Sequence, residues 1–126
     1  MLLLADEAEL TRRLETFLTA RGLQVVSRGG GSNPFDALAT EAPDAVLVDM
    51  NARGIDALDF LGKLRANRLY VGLPTFLVSD GVLTPEMQDK LSALHAILVP
   101  REDPVAALDQ VLGVLFPSVD RWEQSG

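Results

Sequence analysis

The stretch Pro43-Asp44-Ala45-Val46-Leu47-Val48-Asp49 runs four apolar residues straight into a carboxylate. An apolar run of this length, opened by a proline and closed by a charge, reads as a strand covered on both faces. Two other runs are built the same way: Leu2-Leu3-Leu4-Ala5 leads into Asp6, and Thr75-Phe76-Leu77-Val78 leads into Ser79. As neighbouring parallel strands they would gather Asp6, Asp49 and Ser79 at the carboxyl edge of one sheet, where open α/β folds place their sites. A fourth run, Ala96-Ile97-Leu98-Val99, ends in Pro100, where a pocket of this chemistry calls for a cation.

Between these runs lie segments of helical period, so the chain reads as five βα units around a largely parallel sheet. Leu10, Leu14, Phe17 and Leu18 form one face of a first helix that stops at Gly22, and Leu23 to Val26 is the expected second strand. Arg28 to Pro34, with three consecutive glycines, reads as a mobile connector; no Gly-Lys-Ser/Thr follows to make it a phosphate loop. A short second helix must end before Pro43. Ala57, Phe60, Leu61 and Leu64 set a third helix within Asp56 to Asn67. Thr84-Pro85 and Asp103-Pro104 each place a capping residue before a proline at the first helical position. They announce a fourth helix with Met87, Leu91 and Leu94 inward, and a fifth with Val105, Leu108, Val111, Leu112 and Leu115.

At 126 residues the chain makes one domain. Its net charge of -7 argues against direct binding to nucleic acid, which needs a clustered basic surface, and nine of the eleven basic residues are scattered arginines. No cysteine is present, so thiolate chemistry is excluded, and neither a membrane span nor a leader segment is legible. The expectation is a soluble, cytoplasmic protein. It is not expected to be an enzyme, since no nucleophile with a base, dinucleotide fingerprint or zinc-type histidine pair is present.

Ala5-Asp6-Glu7, Asp49, the Gly54-Ile55-Asp56 loop and Ser79, thirty residues after Asp49, occur in the order seen in the receiver domains of two-component response regulators. The chain resembles that family over residues 1–116, with 117–126 left as a linker or C-terminal tail in which Trp122 could pack back. The resemblance implies a flavodoxin-like sheet of strand order 2-1-3-4-5 with helices on both faces. It also implies that Asp49 is the phosphoacceptor and Ser79 the hydroxyl partner, with magnesium held by Asp6, Asp49 and the backbone carbonyl of Asn51. Phosphoryl transfer to a carboxylate needs these types, because charge on the equatorial oxygens must be neutralised from several sides.

The departures decide the functional expectation. Ala5 replaces one acid, and Pro100 stands where the family has a lysine, with Arg101 following it. Strand alternation, counted from Pro100, aims Arg101 away from the pocket. Asp80, after Ser79, adds bulk and negative charge on the path to Asp49, and Ile97 replaces the aromatic residue that relays activation. The reading is therefore an atypical receiver that acts by protein contact without phosphorylation. The alternative is a working receiver phosphorylated on Asp49 by a histidine kinase, with Arg101 supplying the cation. Asp6, Glu7, Asp49 and Asp80 should form an uncompensated acidic cluster with weak magnesium binding or a raised carboxylate pKa. A partner or second copy should meet the fourth helix, fifth strand and fifth helix at Gln88, Ser92, Arg101, Ala106 and Asp109. Asp6 could instead cap the first helix, Asp56 could simply start the third, and His95 reads as a surface residue. Trans peptides are expected at Val99-Pro100 and Pro100-Arg101.

Overall fold

The computed structural model describes residues 1–29, 33–80 and 83–115. Ten elements alternate: β1 (Leu2–Leu4), α1 (Ala8–Ala20), β2 (Val26–Arg28), α2 (Pro34–Glu41), β3 (Val46–Asp49), α3 (Ala57–Ala66), β4 (Thr75–Ser79), α4 (Pro85–Ala93), β5 (Ala96–Pro100) and α5 (Pro104–Leu115). All strand pairs are parallel, in the order β2-β1-β3-β4-β5. This is the flavodoxin-like arrangement. The expectations for Gly30 to Ser32, for 117–126 as a linker or tail and for Trp122 within it fall outside the described residues.

The pleat divides the core. Leu2, Leu4, Val46, Val48 and Leu77 pack with Leu38, Phe60, Leu61, Leu64 and Leu91 under α2, α3 and α4. Leu3, Ala45, Leu47, Phe76, Val78 and Val99 pack with Leu10, Leu14, Leu18, Leu108 and Leu112 under α1 and α5. Because the three central strands are covered on both sides, their residues are buried without alternation. Phe35 sits 5.2 Å from Phe60 and 6.4 Å from Tyr70, centroid to centroid, and ties α2 to α3.

Element ends follow from local chemistry. Asn33 Oδ1 accepts from the Phe35 and Asp36 amides, Asp56 from Asp59, Thr84 from Met87 and Asp103 from Ala106. Asp56 thus serves as an N-cap, while α1 is preceded by Glu7 without a side-chain cap. After α1, Gly22 adopts φ 87° and the amides of Gly22 and Leu23 return to the carbonyls of Thr19 and Leu18. That is the Schellman closure a glycine permits.

Three expectations shift. The second strand pairs over Val26–Arg28, not Leu23–Val26, because the Schellman turn consumes Leu23 and pairing starts only where the Val26 amide meets the Met1 carbonyl. On α5, Ala107 rather than Val105 packs on the apolar cluster beside Leu108, Val111 and Leu112. The N-cap position of α1 falls on Glu7 rather than Asp6. No cis peptide occurs among the described residues, as expected for both bonds at Pro100.

Arg65 pins the lower loops. Its guanidinium donates to the carbonyls of Leu94 (2.7 Å) and His95 (3.3 Å) in the turn before β5, and to those of Tyr70, Val71 and Leu73 before β4. Five acceptors on one planar fork fix two loops against each other at the edge of the sheet opposite the site.

Candidate functional site: a carboxylate pocket closed by an arginine

Asp49 is the last residue of β3 and is 2% exposed. The register pairs it with Val78, so Ser79, 7% exposed, ends the neighbouring strand one step further on. Asp6 leaves β1 on the other side. A cleft lined by Asp6, Glu7, Asp49, Asn51 and Arg53 opens over these strand ends. Parallel order with β1 and β4 flanking β3 is what brings together residues far apart in sequence.

The expectation for Arg101 is overturned. Its guanidinium lies against Asp49 beside this cleft, with 18% of the side chain exposed. Nη2 pairs with Asp49 Oδ1 and Nη1 reaches Asp49 Oδ2 at 3.2 Å, so both oxygens of the buried carboxylate face one fork. Nη1 also donates to Glu7 Oε2 at 3.0 Å, and Nε pairs with Asp80 Oδ1.

The physical reason lies in phase. Ala45, just before β3, Leu47 of β3, and Ile97 and Val99 of β5 all face the α1/α5 layer. Two residues beyond each pair come Asp49 and Arg101, which therefore share a face. Counting from Pro100 as the cation position put Arg101 out of phase; counting from the core puts it in phase. The ladder continues past β5, with the Arg101 amide donating to the Ser79 carbonyl at 3.0 Å. The same correction moves the relay position from Ile97, which packs on the core, to Leu98, which is 40% exposed and also aliphatic.

The remaining polar groups are also engaged. Asp49 Oδ1 accepts from the Asn51 amide at 2.9 Å, and the Asn51 side chain donates to Asp80 Oδ2 at 2.8 Å. Asp6 Oδ2 accepts from the Arg53 amide. Arg53 and the side-chain role of Asn51 were not legible in sequence, since one acts through its backbone and the other through a loop conformation.

Three carboxylates of the acidic cluster thus share one cation, where the sequence reading expected none. Asp80 is held below its ordinary value of 3.8, first by the Asn51 amide hydrogen bond and then by the hydrogen bond and charge of Arg101. Arg101 is raised in turn, chiefly by Asp49. A lowered folded-state pKa contributes stability that is present above the unfolded value and lost as pH falls through the folded one. Asp80→Ala should therefore lower the urea midpoint at about pH 6, and the gap from the unsubstituted protein should close once pH drops below the folded value. Parallel urea melts across that range check it.

The donor set that would take a divalent cation does not fit one in this arrangement. Magnesium uses one or two carboxylates with waters at octahedral geometry, but both oxygens of Asp49 are turned to Arg101. Among the described residues no group of three or more His, Asp or Glu side chains is placed to hold a metal ion. Of the expected contact residues, Gln88, Ser92, Ala106 and Asp109 are exposed, and Asp109 pairs with Arg21, which follows α1, at 2.5 Å. Arg101 is partly exposed, with its guanidinium turned to Asp49, Glu7 and Asp80. No helix among the described residues is long and apolar enough to cross a membrane.

Fold and site together define a five-stranded α/β domain with a strand-end carboxylate pocket of the receiver kind. Over 96 residues the chain is 31% identical to the transcriptional regulatory protein KdpE of Mycobacterium tuberculosis, a match that takes in 76% of this chain and 40% of that protein. The chemotaxis protein CheY4 of Vibrio cholerae superposes with a TM-score of 0.74 at 17% identity, covering 88% of this chain and 93% of that one. The receiver domain of the sensor histidine kinase PA1611 of Pseudomonas aeruginosa PAO1, solved with magnesium in its active site cleft, gives 0.70 at 20% identity, covering 89% and 92%. No family model matches the chain. The chain is a response regulator receiver domain of the two-component systems.

Proposed function

We propose that this receiver domain signals by protein contact without phosphorylation of Asp49. The observation that carries the reading is the engagement of both Asp49 oxygens by the Arg101 guanidinium. A nucleophilic carboxylate must present a free oxygen to a phosphodonor, and here release requires separating a mostly buried ion pair. Asp80, exposed beside the pocket and fixed by Asn51, adds negative charge on the approach. Magnesium, which the PA1611 domain holds in its cleft, binds weakly at best in this reading. Residues 1–116 act as the domain and 117–126 as a linker or tail, in the cytoplasm.

Contact is made through α4, β5 and α5. Gln88, Ser92, Ala106 and Asp109 are among the exposed polar and small positions there, and Leu98 offers apolar area beside them. A protein partner or a second copy of the chain is the occupant. With the pocket locked, this face keeps one conformation. Asp49→Ala should therefore retain the bound partner within about twofold, because a surface uncoupled from the pocket loses little. Ser92→Arg should release the partner. A pull-down with both variants at matched folding makes the comparison, and loss of binding on Asp49→Ala alone contradicts the proposal.

A second reading is favoured by one observation. Arg101 is a cation already within reach of Asp49, so a kinase that displaces the fork would find the product charge balanced. In that case Asp49 is a working phosphoacceptor, with Ser79 beside it.

A further inference from the structure

Four carboxylates, those of Asp6, Glu7, Asp49 and Asp80, surround the strand ends, and three of them are bridged by one side chain. All three guanidinium nitrogens are used. With the positive charges of Arg101 and of Arg53, which also lines the cleft, set against four negative ones, the group carries a formal charge of -4 + 2 = -2. A negative cluster of this size attracts cations, yet the oxygens of its buried member are closed to them. Arg101 is anchored by the last rung of the ladder, where its amide meets Ser79.

We infer that Arg101 is a built-in counter-ion that excludes divalent cations from this pocket, and that its removal opens a magnesium or manganese site on Asp6 and Asp49. The inference rests on the reading of the pocket as locked, and it assigns the lock to a single residue. Two carboxylates with water completing the shell match what magnesium accepts. Taking away a fixed unit charge a few ångströms from a divalent ion also removes a strong repulsion, even at the effective dielectric of a protein surface. A lysine at 101 would act differently from the arginine, since a point charge cannot span three carboxylates as a planar fork does.

The test titrates manganese and magnesium into the unsubstituted protein, Arg101→Lys and Arg101→Gln, following the backbone amide signals of Asn51 and Arg53. Arg101→Gln should bind about tenfold more tightly or better, Arg101→Lys should fall between, and adding Asp49→Asn to Arg101→Gln should abolish the gain. Equal affinity in the unsubstituted protein and a folded Arg101→Gln overturns the inference, as does a gain that survives Asp49→Asn. If Arg101→Gln fails to fold, the lysine variant decides: a gain supports the inference and no gain overturns it. A separate arm treats the unsubstituted protein with a small phosphodonor and magnesium. Phosphate uptake there defeats the phosphorylation-independent reading, whatever the metal titrations show.

Discussion

Arg101→Glu should cost about 3 kcal/mol of folding stability, the lower end of the range for breaking a buried ion pair by removing one partner. The substitution strips Asp49, which is nearly inaccessible to solvent, of its only cationic partner among the described residues and sets a new carboxylate against it. Asp80 and Glu7 contribute little to that figure. Their side chains are 55% and 53% exposed, so water and salt screen what they lose. For a domain of this size the midpoint of thermal unfolding should fall by about 10 °C. Asp49→Asn combined with Arg101→Glu should recover much of the loss, giving a coupling of more than about 1 kcal/mol in a double-mutant cycle. A change within about 0.5 kcal/mol, typical of an ordinary surface position, would show that the fork does not hold Asp49 in solution.

Much of the fold was legible because the strands announce themselves. Ala45 to Asp49, Leu2 to Asp6 and Thr75 to Ser79 are apolar runs that need cover on both faces, and proline or caps at Asp56, Thr84 and Asp103 fix where the helices start. The second strand was misplaced, because an edge strand of three half-buried residues has no apolar run of its own and its start is set by the turn at Gly22. In the site, Asp49, Asp6 and Ser79 followed directly from strand ends.

Arg101 did not. Its direction depends on which residues of β5 face which helices, and Ala96-Ile97-Leu98-Val99 is apolar throughout, so the phase cannot be read from polarity. Only the packing of Ile97 and Val99 under α1 and α5 sets it. The contacts of Asn51 and Arg53 were hidden for a related cause, since a loop amide carries no signature in sequence.

The second large effect concerns chemistry at Asp49 itself. A phosphodonor must meet a carboxylate oxygen in line with its leaving group, and positioning together with charge neutralisation supplies nearly all the catalysis of such transfers. Here the oxygens face a guanidinium and the Asn51 amide, the cation position is filled from within, and Asp80 stands at the approach. Each feature lowers the rate, and together they should leave Asp49 unmodified under conditions that label a working receiver fully. The decisive measurement is the intact mass of the unsubstituted protein after incubation with a small phosphodonor and excess magnesium, beside Arg101→Gln treated identically. The account predicts the starting mass for the unsubstituted protein. A gain of one phosphoryl group in the unsubstituted protein, absent in Asp49→Asn, would contradict it.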